Sequence, residues 1–374
     1  DEEAYPFITW VGEEVDEAYY KAVMGIEINP GLDKSDFKIV YSPQHGADNI
    51  PVRTCLKRSG YDIVPVLAQC APDPDYTNTK SPNPEVDSSY ELAIKLAKEV
   101  DADVVAITDP DGDRLGVVAK HNGEYVLMSG NQSAAVYLEY ILSQRKEKGT
   151  LPDNAVMYNT IVTSDLGELV ARNYGVDVEK TLTGFKFIGD KIRKYEKTHE
   201  KQFIFGYEES YGCVVEDFVR DKDAVQAVLL AAECGNYYKK QGKDLIDVLN
   251  ELYAKYGTFK ESQIALAKAG AAGAARIKEM MDTLRKDKPT EIGGVKVVLS
   301  EDYATSERSD GTTIDLPKSN VLKYYLEDGS WIAARPSGTE PKCKFYFSIK
   351  GTDAKDAADK TEVFHKAMME LIGE

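Results

Sequence analysis

The 374-residue sequence predicts an α/β protein: two consecutive related α/β domains with mainly parallel mixed sheets, plus a smaller C-terminal α+β domain. Three observations carry that expectation. Short apolar runs alternate with helix-period segments as far as Tyr256, the pattern of parallel strands joined by helices. The order strand, helix, glycine, strand between Tyr41 and Gly60 recurs between Tyr158 and Gly175. Beyond Tyr256 the alternation gives way to successive strands with two helices, which suits an antiparallel sheet covered on one side. The expected domains are residues 1–148, 149–257 and 258–374.

Each element follows from local pattern. A helical segment over 14–26 is closed by Asn29-Pro30-Gly31. The apolar run 37–41 stops at Ser42-Pro43-Gln44-His45-Gly46, a strand followed by a loop. Residues 52–58 read as a helix, 62–66 as a strand, and a Pro/Asp/Asn-rich loop covers 71–85. Helix 88–99 precedes strand 104–107. The second domain repeats this with strand 155–158, helix 164–173 and strand 176–180, the two domains meeting near 143–153. Strand 104–107 runs through an acidic loop into 116–118, and strand 203–205 runs through a Gly-bounded loop into Val214-Val215. Repeats of this kind present equivalent strand-end loops to a common crevice. Helix 245–256 comes next, then strand 261–267, an amphipathic helix over 274–285, and strands 295–299, 323–326, 331–334 and 344–350. Helix 354–371 closes the chain, and Gly270 to Gly273 read as a turn and helix start.

Charge narrows the function. The 46 Lys and Arg against 63 Asp and Glu give −17, with no long basic run, which argues against a nucleic-acid or anionic-membrane partner. No run approaches the ~20 apolar residues that cross a bilayer. Cys55, Cys70, Cys213, Cys234 and Cys343 are scattered without a CxxC pair, so neither a disulfide framework nor a zinc site is expected, and a reducing cytoplasm suits them. His45, His121, His199 and His365 show no metal-ligand spacing and are expected on the surface or in loops. The sequence opens Asp1-Glu2-Glu3-Ala4, without Met or a signal peptide.

Three loops offer chemistry. Thr108-Asp109-Pro110-Asp111-Gly112-Asp113-Arg114 follows a buried strand, and its alternate carboxylates can converge as hard oxygen ligands for magnesium. An acidic surface turn is the plain alternative. An EF-hand fits poorly, since Arg114 stands at its glycine position. Asp-x-Asp-Gly also resembles the nucleophile loop of haloacid-dehalogenase-type phosphatases, with Asp109 attacking phosphate and Asp111 as acid and base. That pattern wants Thr or Val at Asp113, and a late acidic pair where Gly189-Asp190 is followed by Lys191-Ile192-Arg193-Lys194. The second loop, Arg335-Pro336-Ser337-Gly338-Thr339-Glu340-Pro341-Lys342, combines two hydroxyls, an approachable glycine and a guanidinium, the parts of a phosphate cradle. A Pro/Gly hairpin with a solvent-facing Arg is its alternative. The third, Gly206-Tyr207-Glu208-Glu209-Ser210-Tyr211-Gly212, suits hydrogen bonding to sugar hydroxyls or is a solvated acidic loop. Arg220-Asp221-Lys222-Asp223 and Thr183-Gly184-Phe185-Lys186 add cations and a tight turn. No Walker loop or dinucleotide fingerprint occurs.

Taken in order, these loops, with residues 181–189, 316–323 and 331–342, resemble the α-D-phosphohexomutase family, nearest its phosphoglucomutase/phosphomannomutase group. The resemblance covers nearly the whole chain. It implies reversible interconversion of hexose 1-phosphate and hexose 6-phosphate through a hexose 1,6-bisphosphate. It further implies magnesium on Asp109, Asp111 and Asp113, with Arg114 near the transferring phosphate and Lys222 handling a proton or neutralising phosphate. Glu208 and Ser210 would grip sugar hydroxyls, and Thr183, Gly184 and Lys186 would line the sugar site. Arg335, Ser337, Gly338 and Thr339 would bind the phosphate that does not react. The small-molecule phosphosugar is thus the expected partner.

One part of the family pattern is missing. Its first domain carries a Ser in a Thr-x-Ser-His-Asn-Pro loop, and only partial look-alikes occur, Ser81-Pro82-Asn83-Pro84 and Ser42-Pro43-Gln44-His45. The chain is therefore expected to lack the phosphoserine domain, its N-terminal partner, and to be inactive alone. A non-catalytic sugar-phosphate-binding protein and a magnesium-dependent phosphatase remain the alternatives.

Overall fold

The structure, a computed structural model, describes residues 8–338 and 340–374, so Asp1 and Thr339 lie outside the described residues. The chain begins with α1 (Gly12–Met24), β1 (Lys38–Ser42), α2 (Asn49–Arg58), β2 (Asp62–Pro65), α3 (Glu91–Val100), β3 (Val104–Thr108), β4 (Leu115–His121), β5 (Glu124–Met128) and α4 (Gly130–Glu147). It continues with β6 (Ala155–Thr160), α5 (Leu166–Asn173), β7 (Asp177–Thr181), α6 (Lys186–Thr198), β8 (Gln202–Tyr207), β9 (Cys213–Val214), α7 (Ala224–Lys239) and α8 (Leu245–Tyr256). The last part holds β10 (Thr258–Ala267), α9 (Gly270–Lys286), β11 (Glu291–Ile292), β12 (Val295–Asp302), β13 (Glu307–Arg308), β14 (Leu322–Leu326), β15 (Trp331–Pro336), β16 (Lys342–Gly351) and α10 (Ala354–Leu371).

Two smaller sheets are mixed. The first has the order β2-β1-β3-β4-β5, with β1 parallel to both β2 and β3 and the pairs β3/β4 and β4/β5 antiparallel. The change of direction falls where residues 109–114 turn β3 straight back into β4. Helical crossovers join the parallel strands, α2 between β1 and β2 and α3 between β2 and β3, whereas a short loop permits only the antiparallel return. The second sheet has the order β7-β6-β8-β9, β6 parallel and β9 antiparallel to β8. All five residues of β3 and all six of β6 are buried, which explains the apolar runs 104–107 and 155–158 within them.

By internal contacts the chain divides into two compact units. The first comprises residues 1–158, 171–178 and 188–249; the second comprises 159–170, 179–187 and 250–374. In the first unit, α4 and α7 are helices that the sequence pattern does not announce. Of the 16 residues of α7, Ala224, Gln226, Glu233 and Asn236 are among 14 that are buried, so no polar stripe marks its period. Side chains fix both starts. Ser129 and Gln132 exchange bonds in a capping box before α4, and the Asp223 carboxylate accepts from the N–H groups of Val225 and Gln226 before α7.

In the second unit an antiparallel sheet runs β10-β16-β15-β14-β12-β11, with β13 alongside β12. One face packs Leu322, Tyr324, Ile332, Phe345 and Phe347 against Met280 of α9 and Phe364 of α10. The other face sets Trp331, Ala333 and Tyr346 against Ile161, Val162 and Leu182. Helix α10 spans the residues expected, while α9 begins four residues before the expected 274, already at Gly270.

Of the histidines expected on the surface or in loops, His45 lies in the loop after β1 as expected, though buried, while His365 departs from the expectation. His45 is 7% exposed, and its Nδ1 lies 2.7 Å from the Ala71 carbonyl. His365 sits within α10, 2.8 Å from the Ser262 hydroxyl. The five cysteines are free thiols, and among the described residues no helix is long and apolar enough to cross a membrane.

Candidate functional site

The acidic loop leaves the buried end of β3 and is held from three sides. The Asp109 Oδ1 accepts from the N–H groups of Asp113 (3.0 Å) and Arg114 (2.9 Å), which folds the loop over its first carboxylate. Gly112 takes φ +74°, and a Cβ there would strike the Asp48 carboxylate; no other residue type fits the turn without strain. Its carbonyl accepts from the Ala224 N–H at 3.0 Å, tying the loop to the start of α7. The Leu115 N–H donates to the Tyr211 carbonyl at 2.9 Å, tying it to the loop after β8.

Within the first unit these bonds bring together Asp109, Asp111, Asp113, Arg114 and Lys222. One carboxylate oxygen from each aspartate lies within 4.8 Å of the others. Lys222 forms an ion pair with Asp113, its stem lying where a Cβ on Gly212 would collide. Arg114 bonds the Glu85 carboxylate at 2.7 Å, with its Nε 3.7 Å from Asp109 and 3.6 Å from Asp113. Glu208 is 8% exposed, its N–H bonded to the Gly212 carbonyl at 2.9 Å, and Ser210 is half-buried on the same loop. Tyr211 at φ +71° occupies the left-handed region, a strained conformation concentrated at sites where a loop is shaped for a ligand.

Glu85, Asp48 and Tyr19 escape sequence reading because they arrive from distant segments. Glu85 meets Arg114, and Asp48 backs Gly112. Asp223 accepts from the Tyr19 hydroxyl at 2.9 Å. Burial, then Asp223 and the three loop aspartates, pushes the Asp48 carboxyl up to about 7, and its Oδ2 has no hydrogen-bond partner among the described residues. Burial, with Asp113 and Asp111 nearby, also pushes Asp109 up to about 7, against the opposing pull of the Arg114 N–H. This crowd of oxygen donors is short of positive charge, and its hard oxygens fit magnesium.

The second unit holds the remaining predicted residues. Arg335 extends β15 beside Lys344, and its Nη1 donates to the Tyr346 hydroxyl at 3.4 Å. The turn after it is closed by the Ser337 N–H on the Lys342 carbonyl (2.7 Å) and the Glu340 N–H on the Ser337 Oγ (3.2 Å). Gly338 is exposed with open space where a Cβ would point, so this turn leaves its backbone approachable. Thr339 is outside the described residues. Gly184 takes φ +113°, Thr183 is half-buried, and the exposed Lys186 lies 5.1 Å from the centre of the Phe187 ring.

Residues 17–123, 129–256 and 271–365 match three domains of one family: phosphoglucomutase/phosphomannomutase alpha/beta/alpha domain II, alpha/beta/alpha domain III and the C-terminal domain. The chain is 38% identical over 325 residues to a phosphoglucomutase of Staphylococcus haemolyticus, covering 85% of itself and 58% of that protein. It is 38% identical over 346 residues to that of Staphylococcus epidermidis, covering 91% and 62%. It thus spans about three fifths of the curated relatives it matches. In fold it is similar to the open form of the Paramecium phosphoglucomutase parafusin, with TM-score 0.71, 19% identity, and 96% of this chain and 63% of that chain covered. A Burkholderia thailandensis protein of the phosphoglucomutase/phosphomannomutase family gives 0.66 at 18% identity, covering 96% and 64%. The Aspergillus fumigatus N-acetylphosphoglucosamine mutase, solved with GlcNAc-6P and magnesium, gives 0.55 at 15% identity, covering 97% and 67%.

Proposed function

Because the chain belongs to the phosphoglucomutase/phosphomannomutase family, we propose that it carries the metal, sugar and phosphate sites of an enzyme interconverting hexose 1-phosphate and hexose 6-phosphate. The observation that supports this most is the convergence of Asp109, Asp111 and Asp113 with Arg114 and Lys222 at one strand end. A strand-end loop of an α/β sheet is where such folds bind ligands.

Asp109, Asp111 and Asp113 would hold magnesium, which when bound would supply neutralising charge for phosphoryl transfer. Arg114, steadied by Glu85, presents guanidinium donors to that group, and Lys222 neutralises a phosphate oxygen or hands on the proton of a sugar hydroxyl. Glu208 and Ser210 fix sugar hydroxyls. Arg335 and Ser337, with the open backbone at Gly338 and with Thr339, hold the idle phosphate, and Thr183, Gly184 and Lys186 line the sugar. Phosphoryl transfer draws mainly on positioning and charge, which suits a site of fixed carboxylates and cations. Transfer through a hexose 1,6-bisphosphate needs a phosphorylated nucleophile; in this reading a serine outside these residues supplies it. The working domains are residues 1–148, 149–257 and 258–374, and the five free thiols suit a cytoplasmic enzyme.

The test is a coupled assay of glucose 1-phosphate conversion with magnesium and glucose 1,6-bisphosphate. A longer chain containing the serine segment is expected to turn over and to lose turnover on Asp111→Asn. The 374-residue chain alone is expected to show none, and its robust turnover would overturn the placement of the nucleophile. Free phosphate released without interconversion would support the phosphatase instead.

A further inference from the structure

The second unit buries a lysine that the proposed chemistry does not use. Lys323 on β14 is fully buried, and its Nζ donates to the Ile161 carbonyl at 2.7 Å. The ammonium stacks 3.9 Å from the centre of the Trp331 ring and 4.7 Å from that of Tyr325. No carboxylate of the described residues lies within ion-pair distance of it. The nearby acids are engaged elsewhere: Lys180 takes Asp165 at 3.1 Å and Glu168 at 2.5 Å, and Glu301 takes Arg308 at 2.8 Å. A buried ammonium held by one carbonyl and two ring faces is costly unless each contact is made, so the arrangement demands one register.

That register joins two ligand loops. The Ile161 N–H donates to the Thr181 carbonyl at 2.9 Å, so the residue whose carbonyl Lys323 grips also holds the strand that enters Thr183 and Gly184. Across the sheet Lys323 pairs with Ala333, two residues before Arg335, and alternation puts Trp331, Ala333 and Arg335 on the Lys323 face. Leu182 packs into the same cluster as Trp331 and Tyr346, and Tyr346 is the residue that accepts from Arg335. We propose that Lys323 is a positioning residue: it fastens residues 179–187 to the β14–β15 face and so sets the spacing of the sugar contacts from Arg335 and Ser337. A hexose phosphate, which spans both loops, feels this spacing. Inorganic phosphate, which occupies only the second, does not. The substrate part rests on the function proposed above.

Lys323→Met keeps length and ring contact while removing donor and charge. Its affinity for glucose 6-phosphate, by calorimetry, is expected to fall about tenfold while that for inorganic phosphate stays within about twofold. Hydrogen exchange over 179–187 is expected to quicken at least about tenfold, with β15 unchanged. Equal losses for both ligands, or unchanged exchange over 179–187, would overturn the proposal. Should the variant fail to fold, the unmodified chain decides: amides of 179–187 are expected to exchange in step with β15, and exchange in step with β8 would contradict it. If the unmodified chain binds neither ligand, the functional reading falls, and the exchange measurement still judges the fastening by Lys323.

Discussion

The acidic loop of the first unit and the Lys323 cluster of the second both bury charge at strand ends, with opposite signs and opposite outcomes. Around Asp109 the carboxylates outnumber their cations, Asp48 keeps an oxygen without a partner among the described residues, and two carboxyls are pushed up to about 7. Around Lys323 the ammonium is enclosed by a carbonyl and two rings, and the neighbouring acids already have lysine or arginine partners. Buried charge left short of partners at an opening marks a place for a ligand; buried charge closed in by its surroundings marks a fixed register.

This contrast can be broken by substitution. The largest effect is expected from Arg335→Ala, which removes forked donors to a phosphate: hexose-phosphate affinity should fall about 10- to 100-fold while cation binding by the first unit is unchanged. Titration calorimetry checks both, and a loss of cation binding would blur the distinction. Gly112→Ala should cost about 1–3 kcal/mol of stability in urea, because the side chain meets the Asp48 carboxylate at a positive φ. Lys222→Met should tighten manganese binding about three- to tenfold, since it removes a like charge from Asp113, as read by paramagnetic resonance.

The smallest effect is a pH dependence. Burial, then Lys180, lowers Lys323 from 10.5 to about 7 against the attraction of Asp165, Glu168 and Glu301. Between those values the unfolded chain binds a proton that the folded chain does not, so stability rises with pH from about 7 toward 10. Lys180 is raised instead, chiefly by Glu168 and Asp165 overcoming its burial, and its contribution is lost only above 10.5. Urea midpoints should therefore climb across that window in the unmodified chain more than in Lys323→Met.

Much of this was legible in the sequence, for physical reasons. Pro110 and Gly112 between three aspartates allow few conformations, and a strand end dictates where they point. The periodicity of residues 354–371 shows helix α10 directly. Other features were illegible because tertiary contacts made them. Helix α7 is buried on nearly every side and shows no stripe. Asp48 stands four residues before the expected helix start with nothing to mark it, and the fold sets it behind Gly112. Lys323 stands first in the expected strand 323–326 with nothing to mark it as buried, and Ile161, Val162 and Leu182 cover its face.

Cation binding by Asp109, Asp111 and Asp113 is the property on which the rest depends. Calorimetric titration of the 374-residue chain with manganese should show one ion bound, lost in Asp111→Asn and retained in Arg335→Ala. Binding undiminished in Asp111→Asn, or absent from the unmodified chain, would contradict it.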